Sequence, residues 1–153
     1  MKNKKILAID YGEKKVGVAV SGELQMFSAQ LDTIFVKNSK HRLQKIQELV
    51  IALCPEKIVV GVPYTYNKQV NFQSKKILNF VEDLKSSLEK LKDLNKISCI
   101  PDIILYDESF TTLQAEKGKT KKFKQKKSDS EAARLLLQEY LNSINNEYKN
   151  EKD

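Results

Sequence analysis

Histidine is nearly absent: His41 is the single one in 153 residues. A Ser-His-Asp or Cys-His hydrolase needs that residue beside a nucleophile, and no such set is visible. His41 falls on a predicted helix with a basic neighbour and is expected to face solvent. Cysteine is almost as scarce. Cys54 and Cys99 lack metal-ligand spacing and read as reduced thiols of a cytoplasmic protein. No apolar stretch approaches transmembrane length. The start, Met1 to Lys5, is followed by only a strand-length apolar run, so neither a membrane span nor a signal peptide is expected. A GxxxxGK[ST] phosphate loop is missing as well. There is no internal repeat and no linker long enough to separate two domains. The expectation is one domain over residues 1–146, with 147–153 as a polar C-terminal tail.

Acidic residues are missing from one basic segment. Lys117, Lys119, Lys121, Lys122, Lys124, Lys126 and Lys127 place seven lysines within eleven residues, with Phe123 among them and Gly118 near the start. The formal charge of the chain is +7, and these seven lysines account for all of it. Basicity is therefore one local device. A mobile basic loop with an aromatic is the kind of segment that grips nucleic acid, which makes Lys119, Lys121, Lys122, Lys124, Lys126 and Lys127 candidate contacts.

Against that background the N-terminal segment stands out. Ile6-Leu-Ala-Ile9 is apolar and ends in Asp10. The chain then turns through Gly12 and a charged tip and re-enters an apolar run at Val16. This pattern predicts a β-hairpin with Asp10 at the end of its first strand. A carboxylate at a rigid strand end, beside a glycine that keeps the backbone low, suits a divalent metal with phosphate ligands.

Periodicity sets the remaining order. Residues 4–10 and 15–21 form the hairpin and 31–36 a third strand. Leu43, Ile46, Val50 and Leu53 mark a helix that Pro55 ends, and Lys57 to Val62 is a strand buried on both faces. Ile77, Val81, Leu84, Leu88 and Leu91 mark a second helix, and 102–107 is a fifth strand. Ser128-Asp-Ser-Glu131 is a capping box that opens a last helix with Ala133, Leu136, Leu137, Tyr140 and Ile144 inward; the polar end from Asn145 is expected to fray. The fold class is thus α/β: a five-stranded mixed sheet, three antiparallel strands and then two parallel ones, flanked by helices. Right-handed crossovers gather strand ends into a crevice. Asp10, the pair Asp107-Glu108 and Asp129 can then converge on one end of the sheet.

Clustered carboxylates repel one another unless a cation sits between them, and oxygen-only ligands select hard ions, Mg2+ or Mn2+. Two such ions activate water and stabilise the leaving oxygen of a phosphodiester with no histidine base. Asp129 also suits a helix N-terminus, Glu131 fits the capping role, and either Asp107 or Glu108 can be the ligand from the fifth strand.

The chain resembles the YqgF/RuvX family, described both as Holliday junction resolvases and as pre-16S ribosomal RNA nucleases of RNase H-like fold. The resemblance rests on Asp10-Tyr-Gly12 to Gly17-Val-Ala-Val-Ser21, Val60-Gly-Val-Pro63, Asp107-Glu-Ser-Phe-Thr-Thr112 and Asp129-Ser-Glu-Ala-Ala133 with Leu135 to Gln138, in order and at fitting spacing. It implies that Asp10, Asp107 or Glu108, and Asp129 are the catalytic acids. Asp10, Glu108 and Asp129 are the implied ligands, since strand-end geometry favours Glu108 within the pair. Ser109 stands where the family usually has arginine, and Tyr64 to Asn67 where its loop usually has glycine. The implied function is a metal-dependent nuclease that processes the 5′ end of pre-16S ribosomal RNA, with pre-ribosomal RNA or the small-subunit precursor as partner. The alternatives are a Holliday junction resolvase on branched DNA and a non-catalytic nucleic-acid-binding factor. A monomer or weak homodimer is expected. Actin-like ATPases share an Asp-x-Gly hairpin, but they need a second lobe for which 153 residues leave no room.

Overall fold

The computed structural model describes residues 4–63, 71–107 and 128–152, with side chains as far as 147. Its centre is β1 (Ile6–Asp10), whose residues Ile6 to Ile9 are fully buried because both faces of the strand are covered. β2 (Lys15–Ser21) returns antiparallel to it, in a register that sets Leu7 opposite Val20 and Asp10 opposite Gly17. β5 (Lys57–Val62) lies parallel on the other side of β1, and β6 (Asp102–Asp107) is parallel to β5. β3 (Ser28–Gln30) completes the path β3-β2-β1-β5-β6, and the two-residue β4 (Ile34–Phe35) pairs with the start of β2.

Helices cover the two faces. α1 (Ser39–Leu53) and α2 (Phe72–Asp93) form the crossovers that make β5 and β6 parallel to β1. Ile46 and Val50 of α1 and Ile77, Val81, Leu84 and Leu88 of α2 pack with Leu7, Ile9, Val16, Val18, Ile58, Val60 and Val62. α3 (Asp129–Lys152) covers the opposite face, where Ala133, Leu137, Tyr140 and Leu141 meet Ile6, Ala8, Ala19 and Val59. Each of these three described helices has a side-chain cap. Asn38 Oδ1 accepts the His41 N–H at 2.8 Å, Asn71 Oδ1 that of Ser74 at 2.8 Å, and Ser128 Oγ that of Glu131 at 3.1 Å. Such caps contribute about 1 kcal/mol apiece.

Three expectations need correction. The third strand is not continuous over 31–36. Gln30 pairs with Ala19 and Ile34 with Val16, so residues 31–33 stand opposite only 17 and 18. One extra residue on the outer strand is a β-bulge, which splits the strand into β3 and β4. His41 is half-buried rather than open to solvent, because its Nδ1 accepts the Lys37 N–H at 3.2 Å beside the Asn38 cap. The polar end does not leave the helix: α3 runs to Lys152, carried past Asn145 by continued backbone hydrogen bonding.

Candidate active site

Asp10 is half-buried at the C-terminal end of β1, and the turn that follows it is fixed from two sides. A Cβ on Gly12 would lie 2.1 Å from the Lys15 carbonyl oxygen, so this tight turn excludes any side chain at that position. From α1, Arg42 reaches under the tip. Its Nε donates to the Gly12 carbonyl at 3.2 Å and its Nη2 to the Glu13 carbonyl at 2.9 Å. The guanidinium sits 4.6 Å from the centroid of the Tyr11 ring, which in turn packs on Phe80 at 5.3 Å. Only 6% of Arg42 is exposed. From α2, Lys76 pairs with the Glu13 carboxylate, and that hydrogen bond holds the Glu13 carboxyl below its usual range. The residue after Asp10 is thus gripped by a buried arginine that composition and motif matching pass over. The available signal is its position: 42, 46 and 50 lie one helical period apart, and Arg42 occupies the stripe that Ile46 and Val50 bury.

Asp129 is the first residue of α3, and a glycine sets its place. A Cβ on Gly17 would lie 1.9 Å from the Asp129 carbonyl oxygen and 2.2 Å from its carbonyl carbon. The helix start therefore rests directly on the backbone of the residue that faces Asp10 across the hairpin. Ser130 locks the contact. Its Oγ accepts the Val18 N–H at 3.3 Å and shares a hydrogen bond with Thr33 Oγ1 at 2.9 Å. The start of α3 thus rests beside the Asp10–Gly17 pair, on the α3 side of that sheet end.

Asp107, the last residue of β6, is at the same end but on the other face. Ile104 and Tyr106 pack on the α3 side and Ile103 on the α1/α2 side, and Asp107 pairs with Val62, which is also on the α1/α2 side. Strand alternation thus sets Asp107 apart from Asp10. Burial raises the Tyr106 hydroxyl pKa, and the charges of Glu139 and Asp107 add to the effect. Glu108, Ser109 and the lysine tract 117–127 lie outside the described residues, as do Tyr64 to Asn67. Among the described residues no three acidic, histidine or cysteine side chains form a metal-binding group. A cavity of about 520 Å3 opens at the opposite end of the sheet, lined by Cys54, Glu56, Cys99 and Asp102, and is remote from these carboxylates. No helix among the described residues is long and apolar enough to cross a membrane.

The profile of the family described as "RuvX: Holliday junction resolvase" matches residues 4–143. The chain belongs to the RuvX family. RuvX relatives include a protein of Clostridium acetobutylicum named "Putative pre-16S rRNA nuclease". It is 34% identical over 145 residues, covering 92% of this chain and 99% of the relative. A protein of Clostridium tetani with the same name is 34% identical over 147 residues, covering 93% and 99%. Among solved structures, RuvC of Thermus thermophilus superposes with a TM-score of 0.56 at 15% identity, over 92% of this RuvX chain and 95% of RuvC. At that identity the likeness speaks for the fold alone, which is the RNase H-like arrangement.

Proposed function

We propose that residues 1–146 work as a single metal-dependent nuclease domain. Its substrate is structured nucleic acid, first of all the 5′ end of precursor 16S ribosomal RNA. The observation that carries this reading is the seating of Asp129 on Gly17, opposite Asp10. That contact brings the backbones of two acidic residues far apart in sequence to the same end of the sheet. Alternation along β6 sets Asp107 on the face away from Asp10, which supports Glu108 over Asp107 as the third. Asp10, Glu108 and Asp129 would hold Mg2+ or Mn2+, since an all-carboxylate donor set fits hard cations. Bound divalent ions supply the charge that activates water and stabilises the departing oxygen. The chain's own part is to hold the carboxylates in place, through Arg42, Gly12 and Gly17, and to attract the phosphate backbone through Lys119, Lys121, Lys122, Lys124, Lys126 and Lys127. The relatives' names support the ribosomal substrate, and the proposal takes the protein as a cytoplasmic monomer or weak homodimer.

The test is purified protein with Mg2+ or Mn2+ on a matched panel of precursor ribosomal RNA and branched DNA. Cleavage of the RNA is expected, with loss of cleavage in Asp10→Asn and an unchanged fold by circular dichroism. Removing one of several like charges should also raise the melting temperature slightly in metal-free buffer. The family's description as a resolvase favours a second reading, cleavage of four-way DNA junctions. That activity needs two paired sites and hence a symmetric dimer, so preference for branched DNA together with a stable dimer would select it. No cleavage of either substrate with either metal would leave the binding-factor reading, which Ser109 favours.

A further inference from the structure

Phe35 has no place in the core. It is 68% exposed on the two-residue strand β4, yet its position is fixed by the sheet. It pairs with Lys15 across β2, and the Val36 N–H donates to the Lys14 carbonyl at 2.8 Å. Which face it occupies is decided by the bulge at 31–33. Gln30 pairs with Ala19, which packs on the α3 side, so in an unbroken strand Ile34 would share that side and Phe35 the other. The extra residue reverses this. Ile34 and Val36 pack on the α1/α2 side, and Phe35 is re-aimed to the side of Asp10 and Asp129. From the register, Phe35 lies about 7 Å beyond the level of the Asp10–Gly17 pair and about 10 Å to its side, at 3.4 Å per residue and 4.8 Å per strand. The Lys15 Nζ is 5.7 Å from the centroid of the Phe35 ring, and Lys15 forms no ion pair among the described residues.

We propose that Phe35 and Lys15 form a binding site for an unpaired nucleotide next to the scissile phosphate, with the base stacked on the phenyl ring and its phosphate on the lysine. The proposal rests on the nuclease reading above and adds a substrate class to it: nucleic acid with single-stranded residues beside the cut. A stacked ring recognises a base only once that base has left its own helix, so a fully paired strand cannot use the site. Lys15 holds the ring loosely in the free protein, and an arriving base displaces it toward the adjacent phosphate. Phe72 shows the contrast. It is also exposed with a lysine over its ring, Lys76 at 4.6 Å, but that lysine is already paired with Glu13.

The chain has no tryptophan, so Phe35→Trp places a single reporter at the site. The full chain is titrated without divalent metal, at low salt, with an end-labelled unstructured oligoribonucleotide of about 12 nucleotides, and separately with its blunt duplex. Label anisotropy reports binding and tryptophan emission reports stacking. Emission is expected to be quenched by the single strand with the same midpoint as the anisotropy, and to stay flat with the duplex. In the otherwise native chain, Phe35→Ala and Phe35→Leu should both weaken single-strand binding by roughly 5- to 150-fold and leave duplex binding unchanged, because leucine keeps apolar area but loses the ring. Single-strand binding with unchanged emission, or with Phe35→Leu indistinguishable from the native chain, would overturn the site and leave the nuclease reading intact. Failure of the native chain to bind either probe would overturn both.

Discussion

Gly17 sets the geometry of the candidate site while carrying no side chain. The atoms that a Cβ would strike there belong to the backbone of Asp129, at 1.9 and 2.2 Å, and backbone cannot rotate away as a flexible side chain would. Gly17→Ala must therefore push the start of α3 off the hairpin, and Asp129 moves with it away from Asp10. Overpacking of this kind costs roughly 1–3 kcal/mol. Urea unfolding should show a loss of that size, and cleavage should fall far more than the stability change explains, because the protein stays folded with its carboxylates apart. Gly22 is the internal control. Nothing lies within 4 Å of a Cβ placed there, so Gly22→Ala should stay within about 0.5 kcal/mol of the native chain and keep its activity. Equal behaviour of the two variants would remove Gly17 from the positioning of the site.

At the scale of elements, what could be read from the sequence was what local patterning encodes. β1 and β5 are legible as short continuous apolar runs because strands buried on both faces need them, and α3 because its capping box and apolar stripe agree. The break in the third strand is not legible, because Leu31 and Val36 are apolar for packing against the core, while the pairing partner is decided by the bulge, which no pattern in 31–36 announces. Asp10 and Asp129 were legible as acids at element ends; that Gly17 lets their elements touch is a contact across 112 positions and was not. Arg42 is not legible in the sequence, because a charged residue in an apolar stripe acquires its meaning only from its two carbonyl partners. It joins α1 to the hairpin tip that follows Asp10, which makes it a candidate positioning residue for that carboxylate. Arg42→Lys keeps the charge but lacks the fork that serves two carbonyls and the plane that stacks on Tyr11. It should cost about 2 kcal/mol, near the value of a hydrogen bond to a charged group. Hydrogen exchange should quicken at the amides of residues 12–15 and stay unchanged in α3. The rate constant for cleavage should drop with little change in nucleic-acid affinity, and a change in affinity alone would contradict a positioning role.

Across the whole molecule, charge is divided between a fixed site and the chain that joins its two sides. The segment that carries the lysine tract runs from Asp107, at the end of β6, to Asp129, at the start of α3, and both anchors lie at the same end of the sheet. The segment that carries the chain's whole excess of positive charge thus begins and ends at the edge where Asp10 and Asp129 lie. Binding then divides into two parts with different salt dependence. Stacking on Phe35 is nearly insensitive to salt, whereas each lysine–phosphate contact releases counterions and contributes about 0.7–0.9 to the slope of log K against log salt. Changing Lys122, Lys124 and Lys126 together to glutamine should lower that slope by about 2–3 units. The same change should weaken single-stranded and duplex probes alike, because phosphates carry no information about pairing. Phe35→Ala should do the reverse, weakening only the single strand at an unchanged slope. Anisotropy titrations at several salt concentrations separate the two effects. If neutralising the three lysines leaves the slope where it was, the tract serves solubility, and attraction of the substrate must come from lysines of the folded face such as Lys14 and Lys15.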